Sequence, residues 1–448
     1  MGLSDVDLST LKIETDTMMS TTTYAFRPFV FEKYYPAKSG NGGKPKPRSG
    51  HRAVCNDQNL YSYGGYNPNI KTSAFAPVDV HWLESKPLFR ELWKFNFASK
   101  TWTKLEAANV PLVLASNAVL LEGRVLFVYG GTGVPFGGHC SNALYVCNLN
   151  ESPPTFREVP VTGSLPEPQY GQAAFIDGPH LYVIGGTTGY EYSADVHKLD
   201  LAAARWSDSC LCKGLPNEPM GRYRHELGIH GSKVFMFGGG TSDESFGFKD
   251  IPVFDFEKDE WSSVSTQGDE NAPVDVYPKS RRFHSCVKIP DSPELVIIGG
   301  FNGCEILDDC WLFNLESLKW KKLFSLKLPF PTYFHASCIT PAGKLYNFGG
   351  ICEAGQRTHR TADILTAWVC IPKLKEICWE AVLHYDFLNK PNGAEVLACL
   401  PIEFRSRLQS NETDLKKNGA ELESNRRFFR CSQVKSSITN RCGSTPCH

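Results

Sequence analysis

Apolar residues in this chain come in short runs that end in paired glycines. LYSYGG closes at Gly65, LFVYGG at Gly131, LYVIGG at Gly186, VFMFGG at Gly239, LVIIGG at Gly300 and LYNFGG at Gly350. Each run is preceded by another apolar segment, which opens on RSGH (48–51), LASN (114–117), YGQA (170–173), RYRH (222–225), RRFH (281–284) or TYFH (332–335). Behind the glycines comes a polar loop, then an alternating run, then in five units an aromatic: Trp102, Phe156, Trp206, Trp261 or Trp320. Alternation with period two and β-branched content predict strands, and the glycines break the chain between them. Four strands per unit, repeated six times, predict an all-β fold: a six-bladed β-propeller.

The fourth-strand aromatics are expected to pack between neighbouring blades, and truncating one to alanine is expected to cost about 3–5 kcal/mol. The sixth unit lacks one. After Gly350 its third strand, 364–370, runs into Pro372 and a segment of helical character. Phe29-Val30-Phe31 is an isolated apolar run between Pro28 and Pro36. It is expected to supply the missing strand, which closes the ring and removes its open edge.

Residues 372–383, PKLKEICWEAVL, change period. Pro372 suits a first helical turn, and apolar positions 374, 377, 378, 381 and 382 follow i, i+3, i+4 spacing. Leu374, Cys378 and Val382 stand four apart and share one face. The run LPIEFRSRL, with Leu400, Pro401, Phe404 and Leu408 as its marked positions, follows at a short distance. The expected organisation is therefore a disordered start (1–23), a propeller (24–371), a helical segment (372–408) and a disordered polar tail (409–448).

At 448 residues the length alone allows two or three domains, but the repeat assigns most of the chain to one body. A formal charge of −1 argues against broad attraction to nucleic acid or membrane. The start, MGLSDVDLST, lacks the basic and apolar regions of a secretory leader, and no apolar run is long enough to span a bilayer. A cytoplasmic or nuclear location is expected. Sixteen cysteines are scattered without CxxC or zinc spacing, so free thiols are expected. His51, His225, His284 and His335 recur at one repeat position, which argues for a shared structural hydrogen bond rather than metal or catalysis. No cofactor or metal is expected.

Binding chemistry is expected at the loops that lead into the first strands, which face the channel mouth together with the loops after the glycines. Arg48, Arg222, Arg224, Arg281 and Arg282 could ring that mouth, where guanidinium forks grip carboxylates bidentately. Tyr66, Tyr170, Tyr190, Phe301 and Tyr333 would wall it, and Ser242 would offer a hydroxyl. The second unit has Leu112-Val113-Leu114 in place of an arginine, so that side should be apolar. The loop 66–87 is the longest and a further candidate.

The ordered set GGYNP, PLFRELW, GGTGVPFG, YGQA, GGTTGY, DVHKLDL, RYRHE, GGGTS and YFHA…TPAG resembles the kelch-repeat substrate receptors. That resemblance implies a non-catalytic protein whose propeller captures client C-termini ending in glycine. Leu374, Cys378 and Val382 resemble an elongin-C-binding box. Leu400, Pro401, Phe404 and Leu408 resemble a cullin-2 box, with Glu403 standing where a cullin-5 box has its second proline. The implied role is the substrate-recognition subunit of a cullin-2/elongin B/C RING ubiquitin ligase. The alternative is a non-degradative scaffold for a signalling enzyme or the cytoskeleton. Kelch proteins that bind iron use a carboxylate/His triad, but the spacing of Glu191, Asp195 and His197 departs from theirs.

Overall fold

The computed structural model describes residues 23–36, 43–70 and 85–408. The disorder expected of 1–22 and 409–448, and the tip of the 66–87 loop, lie outside those residues. Six blades are present, each built on four antiparallel strands, and the third adds a short parallel fifth strand, Thr162–Gly163, at its outer edge. In blade 1 the strands are Arg52–Cys55, Asn59–Tyr63, Leu92–Asn96 and Thr101–Leu105. Blades 2 to 5 begin with inner strands Ala118–Glu122, Ala173–Asp177, Glu226–His230 and Ser285–Lys288. Blade 6 begins with Ala336–Ile339. Each inner strand touches the next, and the sixth touches the first, so the blades form a closed ring.

The ring closes as expected, with a shift in register. The strand proper is Glu32–Tyr34, directly after the apolar run, paired antiparallel to Ile364–Trp368. Glu32 lies opposite Thr366. Phe31 immediately precedes that ladder, whose counterpart in blade 1 carries Trp102 opposite Phe95. Phe29 and Phe31 pack against the cluster that joins blade 5 to blade 6, which includes Val296, Ile298, Leu345 and Leu365, and the Phe29 amide donates to the Trp368 carbonyl at 2.7 Å. The apolar run thus supplies the side chains of the fourth strand, and the polar residues behind it supply the ladder.

The fourth-strand aromatics sit where the repeat places them. Trp102, Phe156, Trp206, Trp261 and Trp320 are all buried. Each reaches back to the preceding blade. Trp102 meets Phe348 at 5.0 Å, Trp206 meets Tyr129 at 5.4 Å, and the Trp320 indole donates to the Phe248 carbonyl at 3.1 Å.

The paired glycines have a steric cause. At five of the six blade junctions the first glycine lies beneath a polar residue of the next blade, Gly64 lying instead against the Leu114 carbonyl, and the second lies on the equivalent residue of its own blade. A Cβ on Gly185 would stand 2.8 Å from the His225 ring, and one on Gly239 would stand 2.7 Å from the His225 Cβ. Both glycines have positive φ as well. His225 therefore threads between two glycine pairs, as do Gln172, His284 and His335 at their junctions. His51 carries the expected structural bond: its Nε2 meets the Phe348 carbonyl of blade 6 at 3.1 Å. Gln172 makes the same inter-blade bond to the Tyr129 carbonyl at 3.1 Å.

Burial keeps these histidines neutral. Burial and the Arg222 charge lower His225 to about 3, burial lowers His335 to about 4, and burial with a neighbouring arginine holds His51 and His284 well below the usual value. The unfolded imidazoles titrate near 6.5, so the stability from neutral burial is fully present above that pH and falls as protons load the unfolded chain. Each group contributes about 1.4 kcal/mol per pH unit below 6.5, and four together roughly 5 kcal/mol. The urea midpoint should therefore drop steeply between pH 7 and pH 5.5, above the range where carboxylates titrate. A flat midpoint over that window would contradict this role.

Three short helices follow the propeller: α1 (Leu374–His384), α2 (Gly393–Cys399) and α3 (Ile402–Leu408). None of the described helices is long and apolar enough to cross a membrane. The cysteines among the described residues are free.

Candidate functional site

A hoop of backbone hydrogen bonds encircles the channel axis. One residue per blade, just before the polar residue between the glycines, adopts left-handed φ: Gly50, Ser116, Gly171, Arg224, Phe283 and Phe334. The amide of each donates to the carbonyl of the one before it around the ring. Ser116 donates to Gly50 at 3.0 Å, Gly171 to Ser116 at 2.9 Å, Arg224 to Gly171 at 2.7 Å, and Phe334 to Phe283 at 3.0 Å. Phe283 donates to Arg224 at 3.4 Å, and Gly50 donates back to Phe334 at 3.2 Å, which completes the circle. Below the hoop, Arg52 of blade 1 crosses the channel to Glu226 of blade 4 at 3.2 Å. The hoop forms a waist, and the mouth lies above it.

The five candidate arginines separate into different jobs. Arg48, Arg222 and Arg281 occupy the first position of their motif, and each is a strut within its own blade. Nη1 donates to the first glycine carbonyl: Gly64 at 2.9 Å, Gly238 at 3.1 Å and Gly299 at 3.0 Å. Nε donates to the carbonyl two residues upstream, at 3.0–3.1 Å. Arg281 also forks onto Asp309 at 2.6 and 3.1 Å, and Arg48 pairs with Glu91. Arg48 and Arg281 are completely buried and Arg222 is 5% exposed. These three do not reach the mouth, which corrects the expectation that they would bind ligand. The cause is their position: the first residue of the motif turns into the blade to satisfy carbonyls that the glycine turn leaves without ladder partners.

Arg282 stands at the second position and does face the mouth, but it is engaged. It donates to the Thr241, Glu244 and Ser242 carbonyls, the latter two at 2.8 and 3.2 Å, and so pins the loop after the fourth glycine pair. Ser242 enters this arrangement through its backbone; its hydroxyl bonds Asp243 at 3.1 Å. Arg224 stands at the third position, in the waist. Its guanidinium donates to the Ser116 hydroxyl, lies 4.9 Å from the Phe334 ring centroid, and its Nε has no partner. Burial, together with the Arg52 charge, lowers it to about 9.

The residues expected as walls are placed by their ring contacts. Tyr66 meets Phe136 at 4.9 Å, Tyr170 meets Tyr223 at 6.1 Å, and Phe301 meets Tyr333 at 5.5 Å. Tyr190 projects outward, 87% exposed. Leu112, Val134 and Phe136 are exposed on blade 2, the side expected to be apolar. Sequence reasoning missed Ser49, Tyr223, Phe283 and Phe334. It also missed a hairpin, Ile351–Ala354 with Arg357–Arg360, that pairs with Thr332–Tyr333 over blade 6. The signals were available in the Gly355 turn and in the fixed third position of each motif.

The helices attach at the opposite face. Their seat involves the turns that join first to second and third to fourth strands, including Asp57, Phe97, Lys100 and Ala342, whereas the mouth is built from the other set of loops. The seating is polar. Glu380 of α1 pairs with Lys344 and accepts from the Trp368 indole at 2.7 Å and the Tyr24 hydroxyl at 3.0 Å. Glu376 forks with Arg407 of α3 at 2.7 and 2.9 Å. Trp379 stacks on Phe404 at 5.1 Å between the helices. A cavity of about 150 Å³ remains in this seam, between Tyr34, Lys100, Trp379 and Glu380.

This inverts the usual surface helix. Glu376 and Trp379 are buried, while Leu374 is 73% exposed, Cys378 is exposed and Val382 is half-buried. On the second segment Pro401 is exposed and Leu400 and Leu408 are half-buried. Phe404 is only 3% exposed. The surface contact expected of Phe404 is thus corrected: it forms the core of the helical unit, because a flat aromatic partner, Trp379, stands opposite it.

The described residues contain no cluster of three or more His, Cys, Asp or Glu side chains arranged to hold a metal. A family profile described as the KLHDC2/KLHL20/DRC7 kelch-repeats domain matches residues 32–239 and 225–381. Kelch domain-containing protein 10 of Xenopus laevis is 40% identical over 342 residues, 76% of this chain and 80% of the relative. The Homo sapiens protein of that name is 39% identical over 353 residues, 78% of this chain and 76% of the relative. The Drosophila melanogaster homolog is 37% identical over 426 residues, 90% of this chain and 69% of the relative.

Proposed function

Because this chain is a member of the kelch-repeat family and therefore a protein-binding propeller, we propose that it is the substrate-recognition subunit of a cullin-2/elongin B/C RING ubiquitin ligase. Its mouth holds a client by the C-terminus, with glycine as the preferred last residue. Its helical segment docks elongin B/C through Leu374, Cys378 and Val382 and cullin-2 through Leu400, Pro401 and Leu408. The chain performs no chemistry. It holds the client beside a ubiquitin-loaded partner, which replaces a bimolecular encounter with a local one.

The observation that carries this reading is the outward stripe of α1. A leucine 73% exposed beside an exposed cysteine, on a helix already fixed by its other face, is left open by the described residues. A leucine knob with a small residue one turn on suits a helix-in-groove contact. At the mouth, a buried carboxylate without a cation would be prohibitive, and guanidinium forks meet that requirement. Placing client and docking helix on opposite faces lets both be occupied at once. Gel filtration of the purified chain with elongin B/C should give a co-eluting complex; separate elution would contradict the reading and leave a non-degradative scaffold.

A further inference from the structure

The helical unit is held to the propeller at two points, and both are directional. The first is Glu380 of α1. One of its oxygens takes Lys344 of blade 6, and the other accepts from the Trp368 indole at 2.7 Å and the Tyr24 hydroxyl at 3.0 Å. Tyr24 strengthens this point: its amide donates to the Tyr385 hydroxyl at 3.0 Å, and its ring lies 5.6 Å from that of His384. The second point is Arg407 of α3. Its carbonyl accepts from the Asn96 side chain of blade 1 at 3.2 Å, and its Nε stands 4.0 Å from Asp57 in the first turn of that blade. The same guanidinium forks onto Glu376, and Trp379 stacks on Phe404, so α1 and α3 form one piece.

Between the two points the interface is not filled. The cavity of about 150 Å³ lies there. Interdigitated side chains hold a close-packed helix against rotation, and a void in the seam leaves that task to the polar contacts. Apolar burial is non-directional, whereas hydrogen bonds and ion pairs have preferred angles. Half-buried ion pairs contribute little net stability and serve better to fix register. The two points also sit on blades 6 and 1, which the closed ring holds at a set angle to each other. A unit tied at both has no freedom to swing.

We infer that Glu380 is a positioning residue: with Arg407 it fixes the direction in which the Leu374–Cys378 stripe points relative to the mouth, and so decides which lysines of a bound client are modified. This rests on the ligase reading above and adds to it a rule for choosing lysines. Client and ligase occupy opposite faces of the ring. A lysine therefore reaches the ubiquitin only when the stretch between it and the gripped C-terminus matches the span. Effective concentration is largest where tether and span match, so a fixed hook gives one favoured stretch and a loose hook gives a lower, broader profile.

The test is ubiquitin transfer by the reconstituted ligase onto a series of peptides. Each carries a single lysine, a flexible Gly/Ser spacer of graded length and a C-terminal glycine. The parent should show a maximum at one spacer length. Glu380→Ala should lower that maximum about threefold and raise transfer at the disfavoured lengths, with co-elution with elongin B/C and peptide affinity as in the parent. Glu380→Gln keeps an acceptor for Trp368 and Tyr24, so its profile should fall between the two. Tyr24→Phe removes one hydrogen bond and keeps the ring beside His384, so it should flatten the profile slightly. Should Glu380→Ala unfold, these two milder variants decide the matter. A flat profile in the parent, an unchanged profile in the variants, or an equal loss at every spacer length would overturn the positioning role while the ligase reading survives. A parent that modifies no peptide of the series would remove both.

Discussion

Deleting residues 1–36 is expected to unfold the propeller rather than loosen one edge of it. The segment carries the fourth strand of blade 6, and Tyr34 from it packs edge-on against both Phe95 of blade 1 and Tyr346 of blade 6. Its hydroxyl donates to the Phe97 carbonyl at 2.9 Å, so a single residue ties the last blade to the first. Phe29 and Phe31 pack against the cluster between blades 5 and 6. Burying a side chain of this kind contributes about 1.5–3 kcal/mol, so the three together approach the whole stability of a typical domain, about 5–15 kcal/mol. The deletion also strips Tyr24 and Phe26, which bind Glu380 and the Trp368 ring beside α1. Far-UV circular dichroism and limited proteolysis should report a collapsed or aggregated chain. A truncated protein whose thermal midpoint lies within a few degrees of the parent would mean that the ring does not depend on this strand. Phe31→Ala with Tyr34→Ala should give a milder version of the same loss.

The second large effect is expected at the exposed stripe of α1. Leu374→Ala with Cys378→Phe should abolish co-elution with elongin B/C and leave the thermal midpoint unchanged, because both side chains face away from the propeller. Large-to-small changes at a protein contact of this kind commonly cost several kcal/mol when the residue is a central knob. Trp379→Ala should behave in the opposite way. It removes the ring that stacks on Phe404 at 5.1 Å, so the helical unit should loosen first and lose its partner only as a consequence. A double variant at 374 and 378 that still co-elutes with elongin B/C would remove the docking assignment.

The architecture was readable because it is periodic. Glycine pairs, fourth-strand aromatics and the histidine position each repeat, and each repeat has a steric cause that the sequence exposes. Closure was readable from an absence, the missing aromatic of the sixth unit, though the apolar run marked the side chains and not the ladder. The mouth was only partly readable. Arg222 and Arg224 are two residues apart in one motif, yet one turns into the blade and the other into the waist, because Arg224 itself adopts left-handed φ. Charge alone carries no such information. The blade 6 hairpin lies outside the repeat, as an insertion, and periodicity could not point to it. On α1 the sequence marked the apolar stripe correctly and left open which stripe faces the propeller. Glu376 and Glu380 decide it, through cations supplied from Arg407 and Lys344 that are remote in sequence.

The central claim is that one rigid chain grips a client C-terminus on one face and a ligase on the other. Reconstituting the chain with elongin B/C, cullin-2, its RING subunit and a charged ubiquitin donor tests it directly. The substrate would be a fluorescent lysine-bearing peptide ending in glycine, and its C-amidated twin the control. Ubiquitin transfer to the free acid alone, lost with the Leu374→Ala/Cys378→Phe chain, is the predicted result. Equal modification of both peptides, no modification of either, or transfer that persists with the double variant would contradict it.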